Sequence, residues 1–168
     1  MTLSTSSPSG VVSARTVLMK VNDGEKLLFE SEHFSRKGRE LAANPRAAMT
    51  IYWKEVHRQV ALTGRAEVLP DEVSDERWRL RGRPNQAASA ATREGATIAS
   101  LAEELELHDK VDALAGSPGD IPRPESYRAY GLYPDVIEFW EGSDTRLHRR
   151  VLYEKTPAGA WQWRRLQP

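Results

Sequence analysis

The sequence contains no cysteine, and none of its apolar runs approaches the ~20 residues that a membrane helix requires. Without cysteine, disulfides, thiolate metal sites and cysteine nucleophiles are excluded. Lysine and arginine together number 24, as do aspartate and glutamate, so the formal net charge is zero. No overall field therefore draws the chain to nucleic acid or to an anionic membrane. We expect a cytoplasmic protein with neither of these partners, in which any cationic site is local.

Several familiar catalytic motifs are also missing. The four histidines show no HxH or HExxH spacing, which argues against a metal site. No GxSxG nucleophile elbow is present, so hydrolytic chemistry is disfavoured. Glycine-rich loops of the Rossmann and P-loop kinds are absent too, and nucleotide binding of those types is therefore not expected.

Short strands dominate what is present. The chain of 168 residues is long enough for one domain with a hydrophobic core, and we predict a single domain over residues 1–168. Alternating apolar and β-branched residues predict strands at 1–6, 11–21, 26–31, 47–53, 59–69, 136–140, 147–154 and 160–166. Closely spaced antiparallel strands with few helices favour a mainly β fold, a Greek-key barrel with flanking helices.

Three helices are predicted from caps and periodicity. Ser35 can cap a helix over residues 36–44, which Pro45 would end. Helical spacing also marks residues 71–80 and 101–115. In the last of these, Leu101, Leu105, Val111 and Leu114 are expected on one face.

Two basic segments indicate an anion site. Arg36 and Lys37 open the helix that Ser35 caps, and a helix start offers backbone N–H groups as well as positive charge. Arg15 and Lys20 lie five residues apart, so on a regular strand they would face opposite sides. The phosphate of a flavin cofactor is one ligand for such a set. The alternative is that the helix residues form only a solvated surface.

A second group follows an aromatic pair near the end of the chain. Arg146, His148 and Arg150 have the i, i+2, i+4 spacing that places side chains on one face of a strand. Burying such a row of cationic and polar side chains costs free energy unless the row faces solvent or an anion. His148 could donate a proton or serve a structural role, and Trp140 could contact a flavin or belong to the core.

Taken together, these segments resemble the pyridoxamine 5′-phosphate oxidase family of flavin enzymes. The sequence RTVLMK at 15–20 resembles the family's RxVLLK strand, SRKG at 35–38 its helix start and RQV at 58–60 a further strand. IEFWEG at 137–142, RLH at 146–148 and RLQP at 165–168 are similar to its IEFWxG, RLH and RLxP signatures. Six matches in order cover nearly the whole chain.

The resemblance implies a split β-barrel homodimer with FMN at the subunit interface. The FMN contacts it implies are Arg15, Thr16, Val17, Leu18, Lys20, Glu30, Ser31, Arg36, Lys37, Gln59, Trp140 and Arg150. Glu30 and Ser31 stand where the family usually has Tyr-Thr, and Glu94-Gly95 replaces its Gln-Ser pair. The chain also begins almost at the family's first strand, so we expect either a truncated sequence or a protein that lacks the helical segment normally found before that strand.

The substrate positions depart further from the family. The oxidase proper holds the phosphate of its vitamin substrate with a Lys, Tyr, Arg, Ser set, and the matching residues here are Lys20, Arg77, Arg81 and Asn85. Two of the four have changed, whereas the RLH segment is kept. This combination resembles the branch of the family that oxidises reduced tricyclic acids in phenazine biosynthesis.

The function implied is that of an FMN-dependent oxidase with O2 as acceptor. Arg146 and His148 would be the catalytic residues and would also contact the small-molecule substrate, with Lys20, Arg77, Arg81 and Asn85 as further substrate contacts. A reduced phenazine dicarboxylic acid precursor is the expected substrate. Two alternatives stay open at this point: pyridoxamine or pyridoxine 5′-phosphate oxidation to pyridoxal 5′-phosphate, and a flavin-binding protein without catalysis.

Overall fold

The computed structural model describes residues 1–168, which form a nine-stranded, mainly antiparallel sheet with four helices. Seven strands lie in the order β2-β1-β5-β6-β7-β4-β3, and β8 and β9 continue from β7. The strands are β1 Thr2–Ser6, β2 Val12–Thr16, β3 Val21–Asn22, β4 Leu27–Glu32, β5 Arg46–Trp53, β6 Arg58–Val68, β7 Tyr127–Glu141, β8 Arg149–Lys155 and β9 Trp161–Leu166. The mainly β fold class predicted from the sequence is confirmed.

The helices are α1 Arg36–Ala43, α2 Asp71–Arg79, α3 Arg83–Ala91 and α4 Leu101–Gly116, with a 3₁₀ turn at Lys54–Val56. The predicted cap at Ser35 is confirmed, and the structure shows a second cap at Ser100. Ser35 Oγ accepts a hydrogen bond from Gly38 N at 3.2 Å, and Ser100 Oγ accepts one from Glu103 N at 3.2 Å. None of the four helices combines the length and apolarity needed to cross a membrane.

The chain divides into two compact units. The β unit comprises Met1–Phe29, Glu40–Glu67 and Tyr130–Pro168, and the helical unit comprises Glu30–Arg39 and Val68–Ala129. The prediction of one domain over residues 1–168 stays a prediction.

The core of the β unit consists of side chains from alternating strand positions. Leu3, Phe29, Met49 and Leu132 are fully buried, and the rings of Phe29 and Tyr130 stack at a centroid distance of 5.2 Å. Burial of this kind is the main stabilising term of a sheet. The strands that carry the site residues of this unit are therefore fixed by packing on their inner face.

The helical unit has a separate core around Trp78, Ala87, Ile121 and Tyr127. The indole of Trp78 meets the Tyr127 ring edge-on at 5.0 Å and donates to the carbonyl of Ile121 at 2.8 Å. Aromatic packing with a satisfied indole N–H holds α2 against the chain around residue 121.

Two predicted strands differ from those observed. The strand predicted at 11–21 ends at Thr16, because the chain then changes its backbone partner: Val17 N donates to Met1 O and Lys20 N to Leu28 O. Arg15 and Lys20 therefore do not lie on one regular strand, and the opposite-face argument is wrong. The strand predicted at 136–140 begins nine residues earlier, at Tyr127.

The helical predictions also need correction. Helix α3 was not predicted. In α4, Val111 and Leu114 pack against the core of the helical unit, but Leu101 and Leu105 are 69% and 56% exposed. The expectation that all four apolar residues share a buried face is therefore wrong for the first half of this helix.

Candidate functional site

Arg15 belongs to a polar network in the β unit. Its guanidinium donates to Thr5 Oγ1 at 2.6 Å and to Leu3 O at 3.2 Å, and it forms an ion pair with Glu40 at 3.6 Å. Thr5 and Ser13 each donate to the same Glu40 carboxylate, at 2.5 and 2.6 Å. The buried Glu40 carboxylate thus accepts two hydrogen bonds and forms an ion pair with Arg15. Together these interactions compensate for its removal from water.

The segment after Arg15 is irregular. Thr16 ends β2, Val17 is buried, and Leu18 is 70% exposed. Lys20 is half-buried, and its backbone N–H donates to Leu28 O at 2.8 Å. The FMN contacts predicted for these four residues stay predictions.

An aromatic pocket opens beside β6, β7 and β8. It has a volume of about 430 Å³ and is lined by Trp53, Gln59, Phe139 and Trp140 among others. The three aromatic side chains and the amide suit a flat heteroaromatic ring, and Arg58, Glu141 and Arg149 add charged groups to the same pocket. The predicted residues Gln59 and Trp140 therefore line the same pocket.

A tight turn carries the RLH segment. Arg146 N donates to Ser143 O at 3.0 Å, and Arg146 has a φ of 65°, in the left-handed region. Strand β8 begins only at Arg149, so the prediction that Arg146, His148 and Arg150 share one strand face is wrong. The turn still gathers Arg146, His148 and Trp140 around a second pocket of about 460 Å³.

The proton position on His148 follows from its hydrogen bond. The backbone N–H of Ser143 donates to His148 Nδ1 at 3.0 Å, so this nitrogen must be the unprotonated acceptor. A neutral imidazole then carries its proton on Nε2. The ring lies against Trp140 at a centroid distance of 4.9 Å. The guanidinium of Arg146 makes no hydrogen bond or ion pair and remains available to an anion.

Arg150 is held by a carboxylate of the neighbouring strand. Its Nε and Nη2 donate to the two oxygens of Glu138 at 2.7 and 3.0 Å, and this pairing raises the pKa of Arg150. Arg150 also lines a basic pocket of about 480 Å³ with His148, Arg149 and Arg165. The surroundings of Arg150 are therefore cationic even though the residue itself is paired.

In the helical unit, the end of β4 carries the predicted Ser31, and the start of α1 carries Arg36 and Lys37. The hydroxyl of Ser31 lies 3.1 Å from that of the capping Ser35. Arg36 is exposed, whereas Lys37 is buried and forms an ion pair with Glu94. At Gly38 a Cβ would come within 2.3 Å of the carbonyl oxygen of His33, so the backbone approach requires glycine.

The predicted substrate residues of the helical unit meet at Glu30. Arg77 Nε and Arg81 Nη1 donate to the two oxygens of this carboxylate at 3.0 and 3.1 Å. The Glu30 side chain is only 4% exposed. Asn85 contributes its backbone carbonyl, which accepts from Arg81 Nε at 3.2 Å. We call Glu30, Arg77 and Arg81 the arginine–glutamate cluster.

Tyr127 borders this cluster. Its ring lies under the Arg81 guanidinium at 5.5 Å, and its hydroxyl is buried near the Glu30 carboxylate. Burial, with the nearby Glu30 carboxylate as the second cause, raises the pKa of Tyr127 above its ordinary value.

Tyr127 is expected to make the folded state less stable in alkaline solution. An unfolded tyrosine ionises near pH ~10, whereas the folded Tyr127 stays protonated there, so stability falls as the pH rises above that value. The denaturant concentration at the midpoint of unfolding is measured at a series of pH values. As the pH rises, this midpoint should fall less steeply for Tyr127→Phe than for the wild type. Identical slopes for the two proteins would contradict this assignment.

The donor groups fit a flavin phosphate. The β unit offers an aromatic pocket with an amide, which suits a planar ring system. The helical unit offers a capped helix start with Arg36 and Lys37, which suits a phosphate group. Each unit by itself thus contains side chains suited to one part of FMN.

Three partners of the predicted site residues escaped sequence analysis: Glu40, Glu138 and Glu94. Each is an acidic residue that pairs with a predicted cofactor contact. Only Glu94 had a signal in the sequence, since it stands where the resembled family has glutamine. Nothing in the sequence distinguishes Glu40 and Glu138 from surface glutamates, because only the fold brings each of them next to an arginine.

Family models match most of the chain. The model described as pyridoxamine 5′-phosphate oxidase matches residues 1–111, and that of the pyridoxine 5′-phosphate oxidase C-terminal dimerisation region matches residues 127–168. A pyridoxine/pyridoxamine 5′-phosphate oxidase of Salinibacter ruber is 40% identical over 169 residues, covering all of this chain and 79% of that protein. The corresponding protein of Burkholderia thailandensis is 42% identical over 171 residues, covering all of this chain and 78% of its own length.

Solved structures agree with this result. PhzG from Burkholderia lata, in complex with tetrahydrophenazine-1-carboxylic acid, matches with a TM-score of 0.93 and 31% identity over 99% of this chain and 80% of its own. A pyridoxamine 5′-phosphate oxidase-related FMN binding protein of Nostoc punctiforme shares the fold, with a TM-score of 0.79 and 18% identity over 99% of this chain and 86% of its own. The resemblance inferred from six sequence motifs is confirmed, and the chain belongs to the pyridoxamine 5′-phosphate oxidase family.

Proposed function

We propose that this protein is an FMN-dependent oxidase that oxidises a reduced phenazine carboxylic acid precursor, with O2 as acceptor. The observation that carries the proposal is the similarity to PhzG, whose solved structure holds a tetrahydrophenazine carboxylic acid. The changed substrate residues Arg77 and Asn85 favour the same branch, because they replace the tyrosine and serine with which the vitamin oxidase holds a phosphate.

FMN would be held by the residues that the sequence analysis assigned to it. These are Arg15, Thr16, Val17, Leu18, Lys20, Glu30, Ser31, Arg36, Lys37, Gln59, Trp140 and Arg150. When bound, FMN supplies the redox chemistry: two electrons leave the substrate and reduce O2, and with two protons this gives hydrogen peroxide.

The turn at 143–148 would position the substrate. Arg146 offers an unpaired guanidinium, which can bind a carboxylate through two parallel hydrogen bonds. His148 presents Nε2–H as a donor, since its Nδ1 is occupied by Ser143 N. These two residues would hold an anionic, electron-rich ring system, and His148 would stabilise negative charge that develops on it.

A homodimer is part of the proposal. The matched C-terminal region is described as a dimerisation region, and within it Phe139, Trp161 and Trp163 are 46%, 42% and 62% exposed. Large exposed aromatic residues are typical of surfaces that a partner covers. A cytoplasmic location is likewise proposed.

The second candidate is pyridoxine or pyridoxamine 5′-phosphate oxidation. The observation in its favour is the name carried by curated relatives that are 40% to 42% identical over the whole chain. In that case the altered residues Arg77 and Asn85 would still accommodate the phosphate of the vitamin.

Anaerobic mixing separates the two candidates. The FMN-loaded protein is mixed with freshly reduced phenazine dicarboxylate and, separately, with pyridoxamine 5′-phosphate, and bleaching of the oxidised flavin band is followed. We expect bleaching by the phenazine precursor and peroxide formation once air is admitted. Bleaching by the vitamin alone would establish the second candidate, and bleaching by neither would contradict both.

A further inference from the structure

Two residues other than glycine have a positive φ in this chain, and both line the same pocket. They are His57, with a φ of 49°, and Arg146, with a φ of 65°. Their pocket is the one of about 460 Å³ that also contains His148 and Trp140. Residues other than glycine are uncommon in the left-handed region and concentrate at functional sites. His57 therefore shares both its backbone conformation and its pocket with the arginine that is proposed to hold the substrate.

The main chain fixes His57 in place. It follows the 3₁₀ turn at Lys54–Val56, and its N–H donates to Lys54 O at 3.4 Å. Its carbonyl accepts from Gly142 N at 2.8 Å. A Cβ at Gly142 would lie 3.0 Å from His57 Cβ and 3.0 Å from Trp140 Cη2, so glycine leaves room for both side chains. The connection between β5 and β6 is thus held against the end of β7.

The side chain of His57 is available to a ligand. Both hydrogen bonds of this residue are made by its backbone, and the residue is exposed. Its imidazole makes no hydrogen bond or ion pair within the protein. Whether neutral or charged, an imidazole carries at least one N–H that can donate to a carboxylate. His57 therefore adds a donor to the pocket from a part of the chain that the family motifs do not include.

The charges of the pocket do not by themselves favour a ligand with two carboxylates. Arg146 and Asp144 are the charged residues that line it, with His57 and His148 as titratable groups. The formal charges of Arg146 and Asp144 cancel, so each carboxylate of a ligand needs a direct donor. Arg146 and His148 belong to the turn at 143–148, whereas His57 belongs to the connection between β5 and β6. A rigid ring system that holds two carboxylates apart can thus be bound from both elements.

We infer that His57 is a specificity-determining residue of this pocket, which selects a dicarboxylic over a monocarboxylic substrate by donating to the carboxylate that Arg146 does not hold. The inference deepens the proposed function and rests on it for the nature of the ring system. The oxidised acids cannot reduce flavin, so their binding tests the inference without turnover. One hydrogen bond to a charged group at an exposed position corresponds to a difference in affinity of about tenfold.

The test measures by calorimetry how the full-length protein, saturated with FMN, binds phenazine dicarboxylate and phenazine-1-carboxylate. Wild type should bind the dicarboxylate about tenfold more tightly than the monocarboxylate. His57→Gly tolerates the left-handed backbone and removes the imidazole, so its two affinities should agree within about twofold. Its affinity for the monocarboxylate should equal that of wild type.

Two further variants sharpen the test. His57→Asp also tolerates the left-handed region, and it places a negative charge where the donor was. This variant should bind the dicarboxylate less tightly than the monocarboxylate. His108→Ala is the matched control, because His108 is an exposed histidine of α4 that does not line the pocket. It should keep the wild-type preference, and a loss equal to that of His57→Gly would overturn the inference.

Three other results would overturn it as well. They are a wild type that binds neither acid or binds both equally, a dicarboxylate preference that survives in His57→Gly, and a loss of affinity in that variant that is the same for both acids. Should His57→Gly not fold, His57→Asp decides in its place, and a retained preference contradicts the inference. Failure of the proposed function is separate, because it shows as absent flavin bleaching by the reduced acid whatever the binding preference for the oxidised ones.

Discussion

Replacing Arg146 by alanine is expected to lower kcat/KM for the reduced phenazine acid by about 10- to 150-fold while FMN stays bound. The guanidinium has no partner within the protein and shares a pocket with His148 and Trp140. A charge-assisted hydrogen bond to a substrate carboxylate contributes about 1.5–3 kcal/mol, which corresponds to a loss of this size. Steady-state turnover and the flavin absorption of the purified variant measure the two effects.

Two variants sharpen this experiment. Arg146→Lys keeps the positive charge but not the planar fork, so we expect it to recover only part of the lost activity. Arg65→Ala is the control, since Arg65 is an exposed strand residue that pairs with Glu67 at 2.8 Å. Its activity should equal that of wild type. Unchanged turnover by a flavin-loaded Arg146→Ala would remove Arg146 from the substrate site.

Replacing Gly64 by alanine is expected to destabilise the protein by about 3 kcal/mol or more, through overpacking in β6. A Cβ at this position would lie 2.0 Å from the carbonyl oxygen of Tyr133 and 2.7 Å from the Cα of Pro134. Both atoms belong to the backbone of β7, so no side-chain rotation can relieve the clash. Denaturant unfolding, followed by fluorescence, measures the shift of the midpoint.

Gly116→Ala provides the comparison. A Cβ at Gly116 would meet nothing within 4 Å, and this glycine ends helix α4. Alanine there should leave stability unchanged or raise it slightly, because glycine has the lower helix propensity. If the free energy of unfolding of Gly64→Ala lay within about 1 kcal/mol of the wild-type value, β6 and β7 would not approach each other as closely as described.

Local signals were sufficient for several elements of the fold. The cap at Ser35 and the start of α1 were correctly predicted, because a capping hydroxyl and its N–H partner are three residues apart. The long pair of β5 and β6 was also predicted, since both strands are rich in β-branched and aromatic residues. Such features depend on residues close together in sequence.

Elements that depend on distant contacts were missed. The first half of β7 contains Gly131 and Pro134, which oppose a strand assignment locally, yet Tyr127, Ala129 and Leu132 are buried there. Helix α3 is rich in alanine and lacks an apolar repeat, so periodicity gave no sign of it. In both cases packing outweighed the local pattern.

The candidate site shows the same division. Sequence motifs identified the family and the residues to inspect, but they could not show which of them are paired. Glu30 lies 47 residues before Arg77 and 51 before Arg81, and no spacing rule connects residues so far apart. The geometry of the RLH segment could not be predicted either. Its neighbours have the alternating pattern of a strand, but Arg146 adopts a left-handed conformation and the strand begins only after it.

The hydrogen bond from Ser143 to His148 comes from the main chain and not from a side chain. The donor is the backbone N–H of Ser143, so replacing the serine side chain leaves this donor in place. Only proline lacks the N–H, and proline at position 143 would therefore remove the contact that holds the Nδ1 edge of the imidazole. The orientation of His148 thus depends on the backbone path of the turn at 143–148, the same turn that carries Arg146.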